Sequence, residues 1–229
     1  MPVTPDAIML FAAGFGTRMG MLTKTCPKPL IKVANMALID HALKIVEGAA
    51  LETVVVNTHY LPGMMAAHLE NRDVILSHEV DILETGGGLR NALPLLGADP
   101  VFTFNTDAIW TGQNPLTTLA QTWDPEKMDA LLLLVPPDRA QGYTRDGDFF
   151  VAENGTIKRG PGMVYTGAQI IKTNGLKTIS DEKFSLHELW DQMYDTDRIF
   201  GVTHTGGWCD VGTPAGIEVA EKMLGQHNV

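Results

Sequence analysis

Strand-like and helix-like segments alternate along most of this 229-residue chain, which predicts an α/β protein built on a doubly wound, mostly parallel sheet. Two observations sharpen that reading. Ala7-Ile8-Met9-Leu10-Phe11-Ala12-Ala13 is an unbroken apolar run of strand length, as expected of a strand covered on both faces, and it stops at a glycine-bearing turn. Beyond Val135 the pattern changes to short extended runs around Asn154-Gly155, a hairpin signal that predicts a small antiparallel lobe laid against the parallel sheet.

Taken in order, the elements follow from periodicity and punctuation. Asn35 is expected to cap a helix with Leu38, Ile39, Ala42, Leu43 and Val46 on one stripe and Gly48 at its end. Thr53-Val54-Val55-Val56-Asn57 is a β-branched buried strand, Pro62 to Leu69 a short helix and Asp73 to Ser77 another strand. Three glycines, Gly86 to Gly88, lead into a helix presenting Leu89, Ala92, Leu93 and Leu96. Pro100 to Asp107 is an apolar strand ending in polar residues, Pro115 to Trp123 a helix, Asp129 to Val135 a buried strand. After the hairpin, Met163 to Ile171 is a strand, and Ser185-Leu186-His187-Glu188 is a capping box opening a helix with Leu186, Leu189, Trp190 and Met193 on one face. Arg198 to His204 is the last strand, and Thr213-Pro214 caps and starts the terminal helix.

Composition limits the function. A hydrophobic fraction of 45% supports one substantial core, so residues 1–229 are read as a single domain. The net charge of −10 argues against nucleic acid or an anionic membrane as the main partner, so anionic substrates must be met by a local basic patch. Cys26 and Cys209 are too few for a disulfide framework, Met1 to Asp6 contain no signal-like core, and no apolar run approaches a membrane span. The expectation is a cytoplasmic protein.

The candidate chemistry starts in the first turn. Gly14 and Gly16 allow backbone N–H groups to approach an anion closely; Arg18 adds a forked cation, and Lys28, stiffened between Pro27 and Pro29, adds a point charge. Asn105 and Asp107 close an apolar strand at the end where such sheets bind ligands, although an aspartate there also serves as a helix cap. The Gly86–Gly88 run reads either as a flexible joint or as a flat backbone surface for a planar base, with Glu84 and Thr85 beside it. Asp148 and Asp210 each read equally as turn residues. The seven histidines show no metal spacing, and the glycine spacing is wrong for a dinucleotide-binding oxidoreductase.

Gly14-Phe15-Gly16-Thr17-Arg18-Met19 followed by Pro27-Lys28-Pro29-Leu30 resembles the paired signature of the sugar-1-phosphate nucleotidyltransferases, and the similarity runs from Ile8 to about Thr213. The chain departs from that pattern at Gly20-Met21, where the family usually has Arg-Pro, and at Thr106, where it has glycine between Asn and Asp. The resemblance implies a Rossmann-like fold of the nucleotide-diphospho-sugar transferase type. It also implies Mg²⁺ as cofactor, and a nucleoside triphosphate and a sugar 1-phosphate as partners of a monomer or small homo-oligomer. On this basis residues of about 1–135 bind nucleotide and 136–229 form the sugar-binding lobe and C-terminal helix. Ala13, Gly14, Gly16, Thr17, Arg18, Glu84, Thr85, Gly86, Gly87 and Asn105 are the implied nucleotide contacts; Asn105, Gly147, Asp148, Glu153, Thr166 and Gly167 the sugar contacts; Asp107 and Asp210 the metal ligands; and Arg18, Lys28 and Asp107 the catalytic set.

Such a reaction needs no general base, because the attacking phosphate oxygen has a second pKa near 6; a nucleotide-sensing module without catalysis is the other reading of the same loop. Relatives that make GDP-mannose commonly carry an extra C-terminal β-helical domain, whereas little chain follows Thr213. Leu83 to Gly88, Asn91 to Gly97 and Gly147 to Phe149 resemble compact members acting on UTP and N-acetylmuramate 1-phosphate in cell-wall recycling, with mannose 1-phosphate and GTP the second expectation. A muramate pocket must offer the lactyl carboxylate a donor, for which Arg145, Lys158 and Arg159 are candidates.

Overall fold

A computed structural model describes residues 5–227; Met1 to Thr4, part of the stretch searched for a targeting signal, lie outside the described residues. In chain order the elements are β1 (Ala7–Phe11), β2 (Lys32–Val33), β3 (Met36–Ala37), α1 (Leu38–Glu47), β4 (Thr53–Thr58), α2 (Pro62–Leu69) and β5 (Ile75–His78). Then follow α3 (Glu84–Leu96), β6 (Val101–Asn105), β7 (Ala108–Trp110), α4 (Pro115–Thr122), β8 (Ala130–Val135), β9 (Ala140–Gln141), β10 (Phe149–Val151) and β11 (Ile157–Arg159). The last are β12 (Val164–Ile171), α5 (Leu186–Tyr194), β13 (Ile199–Thr203), β14 (Trp208–Asp210) and α6 (Pro214–His227). No described helix is long and apolar enough to cross a membrane.

The main sheet has seven strands in the order β13-β8-β12-β6-β1-β4-β5. β12 runs antiparallel to both of its neighbours, while β1, β4, β5 and β6 pair in parallel and so do β8 and β13. Successive residues of β1 point to opposite faces. Ile8 and Leu10 pack with Ile39, Leu43, Leu116 and Leu119 of α1 and α4, whereas Ala7 and Met9 pack with Leu89 and Ala92 of α3. β1 is therefore covered on both faces and β8 is buried throughout, which is why both read as continuous apolar runs, whereas the edge strand β5 is partly exposed.

Two small sheets stand at the carboxyl ends of these strands. The order β7-β14-β9 forms one; the other is the β10-β11 hairpin turned at Asn154-Gly155. The register of the first pairs Asp210 with Ala108, and Val211 N–H donates to the Asp107 carbonyl at 2.9 Å, so two distant acidic residues are brought side by side.

Several elements differ from the sequence reading: α3 starts at Glu84 and takes in Gly86–Gly88, β14 follows the strand read as the last, and β2, β3, β7 and β9 were not expected. Asn35 does not cap α1; with Ala34 it occupies left-handed backbone (φ 64° and 49°) in the tight turn of the β2-β3 hairpin, and the helix starts at Leu38. Asparagine tolerates that conformation, which accounts for its presence in the turn instead.

Candidate active site

The turn after β1 forms one wall of a cavity of about 330 Å³. Gly16 sits at φ 62°, and a Cβ there would lie 2.8 Å from Lys28 Cβ and 2.9 Å from Thr23 Cγ2, so only glycine lets the turn close on the lysine. Thr23 Oγ1 donates to the Gly16 carbonyl at 3.0 Å, and Met19 N–H donates to the same oxygen at 2.9 Å. Gly20, at φ 59°, takes the kink inside the 3-10 segment Thr17–Thr23.

Below the turn, Asn57 at the end of β4 accepts from Ala12 N–H (2.6 Å) and Ala13 N–H (3.2 Å), while its own amide donates to Glu79 Oε1 at 2.7 Å. Glu79 is 2% exposed and its second oxygen accepts from Leu83 N–H at 2.9 Å. This buried chain ties the β1 turn to the start of α3. Both residues line the cavity and neither was singled out from the sequence, although Asn57, like Asn105, closes an apolar strand at its carboxyl end.

Arg18, Lys28, Asn105, Thr106 and Asp107 complete the cavity. Thr106 is buried and its hydroxyl donates to the Phe11 carbonyl at 2.8 Å, locking the end of β6 to the end of β1. That bond is the local reason a threonine, not glycine, precedes Asp107. Lys28 is 8% exposed and reaches Asp107 Oδ2 with its Nζ at 2.6 Å.

A second cavity, of about 490 Å³, opens on the other side of Asp107 and shares Arg18 and Asn105 with the first. Its walls include Asp210, Gly147, Asp148, Thr166 and Gly167, together with Tyr143, Tyr165, Trp190 and Trp208. Asp148 accepts from Tyr165 N–H at 3.0 Å and pairs with Arg145 at 3.3 Å, so it holds the hairpin lobe against β12. Burial, then the neighbouring charge of Asp107, push the Asp210 carboxyl up, with Lys28 and Arg18 pulling the other way. Two close carboxylates, one disfavoured as an anion, form a hard-oxygen donor set that fits a divalent cation completed by phosphate and water oxygens. Among the described residues no group of three or more His, Cys, Asp or Glu is arranged for a metal, so the remaining positions would come from substrate.

Of the residues read from sequence, Ala13, Gly14, Gly16, Thr17, Arg18, Lys28, Glu84, Thr85, Asn105 and Asp107 line the first cavity. Gly147, Asp148, Thr166, Gly167 and Asp210 line the second. Three residues do not reach either. Gly86 and Gly87 are buried in the first turn of α3, facing away from the cavity: a Cβ on Gly86 would lie 2.4 Å from Phe184 Cε2, and one on Gly87 2.4 Å from the Glu182 carbonyl oxygen. These glycines serve close helix packing, with both N–H groups donating to the Phe184 carbonyl at 2.9 and 3.1 Å, and are no flexible joint. Glu153 lies exposed beside the Asn154-Gly155 turn, outside the second cavity. His187, assigned no role from sequence, does line it.

A doubly wound sheet with a glycine turn, a buried lysine and paired aspartates at its carboxyl edge defines a nucleotidyltransferase. The chain belongs to the MobA-like NTP transferase domain family, whose profile matches residues 8–153. It is 39% identical, over 99% of its own length and 100% of the relative's, to an N-acetylmuramate alpha-1-phosphate uridylyltransferase of Caulobacter vibrioides. A mannose-1-phosphate guanylyltransferase catalytic subunit beta of Drosophila melanogaster is 26% identical, over 90% of this chain and 59% of that protein. The inositol-1-phosphate CTP transferase of T. maritima shares the fold with a TM-score of 0.78 at 16% identity, over 98% of this chain and 97% of that one.

Proposed function

We propose that this protein transfers a uridylyl group from UTP to N-acetylmuramate 1-phosphate, releasing pyrophosphate. The observation that carries the reading is the pair of cavities that meet at Arg18, Asn105 and Asp107: one suits a nucleotide, the other a sugar, and their junction is lined by charges of both signs. The near-full-length similarity to a uridylyltransferase supports the choice of base and sugar over mannose 1-phosphate and GTP.

In this reading the β1 turn and Arg18 hold the β- and γ-phosphates. Lys28, positioned by Asp107, neutralises the oxygens of the reacting phosphates, and Asn105 sits where the two substrates meet. An oxygen of the sugar phosphate, ionised at neutral pH, forms a bond to the α-phosphorus while the bond to the β-phosphate oxygen breaks and pyrophosphate leaves. Asp107 and Asp210 would hold Mg²⁺, which when bound supplies charge neutralisation at the α-phosphate. Glu84 and Thr85 face the base, and Gly147, Asp148, Thr166 and Gly167 line the sugar site. Residues 1–135 and 136–229 divide these tasks within one catalytic domain. We assign the chemistry to the cytoplasm, where nucleoside triphosphates and reduced cysteines such as Cys26 and Cys209 belong.

The test is pyrophosphate release with UTP or GTP against N-acetylmuramate 1-phosphate or mannose 1-phosphate. The highest kcat/KM is expected for UTP with the muramate substrate. A higher value for mannose 1-phosphate overturns the sugar assignment, and no pyrophosphate from any pair overturns the reaction class.

A further inference from the structure

N-acetylmuramate 1-phosphate differs from N-acetylglucosamine 1-phosphate by a lactyl ether ending in a carboxylate, so an enzyme that prefers it needs a cation away from the phosphate. The sugar cavity has such an end. Arg18 and Asp107 line it where it meets the nucleotide cavity, whereas Arg159 and His187, from β11 and the start of α5, line it without reaching that junction.

Strand alternation separates the two basic residues of β11. Ile157 is buried and Arg159, two positions on, shares its face; Lys158 points to the other face and does not line the cavity. Arg159 is braced before any substrate arrives: its Nη2 lies 2.8 Å from Asp191 Oδ1 and donates to the His187 carbonyl at 3.3 Å, and its Cζ lies 5.4 Å from the centre of the Tyr194 ring. The Asp191 pair is half exposed on both sides and therefore weak, so it orients the guanidinium without cancelling its charge. His187 stacks on Trp190 at 4.8 Å, and burial, followed by the charge of Arg159 and more weakly that of Arg145, holds its imidazole pKa down.

Arg145 is differently placed. It also lines the cavity, but it is 73% exposed, paired with Asp148 and 5.0 Å from the centre of the Tyr143 ring, so its charge lies against the Tyr143–Asp148 loop and not on α5.

We infer that Arg159 reads the carboxylate of the lactyl arm and is the specificity-determining residue for an acidic sugar phosphate over its neutral parent. The inference rests on the uridylyltransferase reading above. A guanidinium matches a carboxylate in shape and offers charge-assisted hydrogen bonds, which are the stronger class.

The experiment compares kcat/KM for N-acetylmuramate 1-phosphate and N-acetylglucosamine 1-phosphate, with UTP, in the native protein and in Arg159→Gln, Arg159→Lys, Arg145→Gln and Lys158→Gln. Binding of UDP-N-acetylmuramate and UDP-N-acetylglucosamine is measured by calorimetry on the same variants. Arg159→Gln is expected to lower the preference for the muramate substrate by about 10- to 100-fold, mostly through KM, and to weaken the muramate product selectively; Arg159→Lys recovers part of both. Lys158→Gln keeps the native preference. Equal losses on both sugars in Arg159→Gln would mean a merely structural role, and a preference that falls in Arg145→Gln but not in Arg159→Gln would move the assignment; either overturns the inference while leaving the reaction class intact. A native protein that turns over neither acetamido sugar fails at the earlier step and takes the inference with it.

Discussion

Lys28 and Asp107, 79 positions apart in the chain, meet with Nζ 2.6 Å from Oδ2 at the junction of the two cavities. The contact joins the Pro-Lys-Pro segment to the end of β6. It also means that removing either partner leaves a charged group without its counterion in a largely buried place.

Lys28→Met is accordingly expected to lower kcat at least about tenfold, since a cation on the reacting phosphates is worth more than about 1.4 kcal/mol in the transition state. Steady-state kinetics on a variant with a native circular dichroism spectrum checks this; an unaltered kcat removes Lys28 from the chemistry.

Asp107→Ala and Asp210→Ala should each abolish magnesium-dependent turnover if the two residues, whose backbones the β7-β14 pairing brings side by side, hold one ion as proposed. Pyrophosphate release is followed across a magnesium titration. Full activity with a native magnesium dependence in either variant would refute a shared ion.

Glycine-to-alanine changes in two helices should have opposite signs. Alanine gains about 1 kcal/mol over glycine inside a helix. At Gly87 the new Cβ would meet the Glu182 carbonyl oxygen at 2.4 Å, backbone that cannot move aside, and overpacking of this kind costs about 1–3 kcal/mol. At Gly63 in α2 the space is open. Thermal melts should place Gly87→Ala several degrees below the native protein and Gly63→Ala at or above it. A Gly87→Ala variant as stable as the native chain would show that α3 can shift away from Glu182.

Asp129 supplies a pH-dependent stability. Its carboxylate pairs with Lys172 Nζ at 2.8 Å and Arg198 Nε at 2.9 Å, clamping the adjoining ends of β8, β12 and β13. Burial pushes its pKa up, but the two cations together outweigh burial and the net shift is downward. A carboxyl with a depressed folded pKa contributes stability that is fully present above the unfolded value of about 3.9 and is lost as pH falls through the folded pKa. Asp129→Asn should therefore lower stability by about 1 kcal/mol at pH 7, a figure reduced for partial exposure, and the gap to the native protein should close in melts as the pH falls below the ordinary carboxylate range. A gap independent of pH would mean that the amide disturbs packing instead.

The elements most legible in the sequence were those whose cause is local. β1, β4 and β8 announce themselves as apolar runs, the Asn154-Gly155 turn as a hairpin, and Asn105 and Asp107 as polar residues closing an apolar strand. What escaped depends on distant partners. Gly86 and Gly87 resemble a flexible joint until Glu182 and Phe184, about a hundred residues on, are seen packed against them. β12 carries the composition of any buried strand, and only its position between β6 and β8 reveals that it runs against both. Glu153 adjoins a turn that packs on Phe200 and Gly201 of β13, while the hairpin meets the cavity at its other end, through Phe149 and Arg159. Asn57 was legible by the logic applied to Asn105, but Glu79 was not, since nothing local marks an acid after a strand as buried.

The wall shared by the two cavities has a consequence for chemical probes. Because Arg18, Asn105 and Asp107 face both spaces, a fragment bound in one ends within reach of a fragment bound in the other. Joining two weak binders by a short bridge over Asp107 would make the second encounter intramolecular, at an effective concentration of about millimolar, and avidity gains of about 10²- to 10⁴-fold are open to such a linked compound without any new contact.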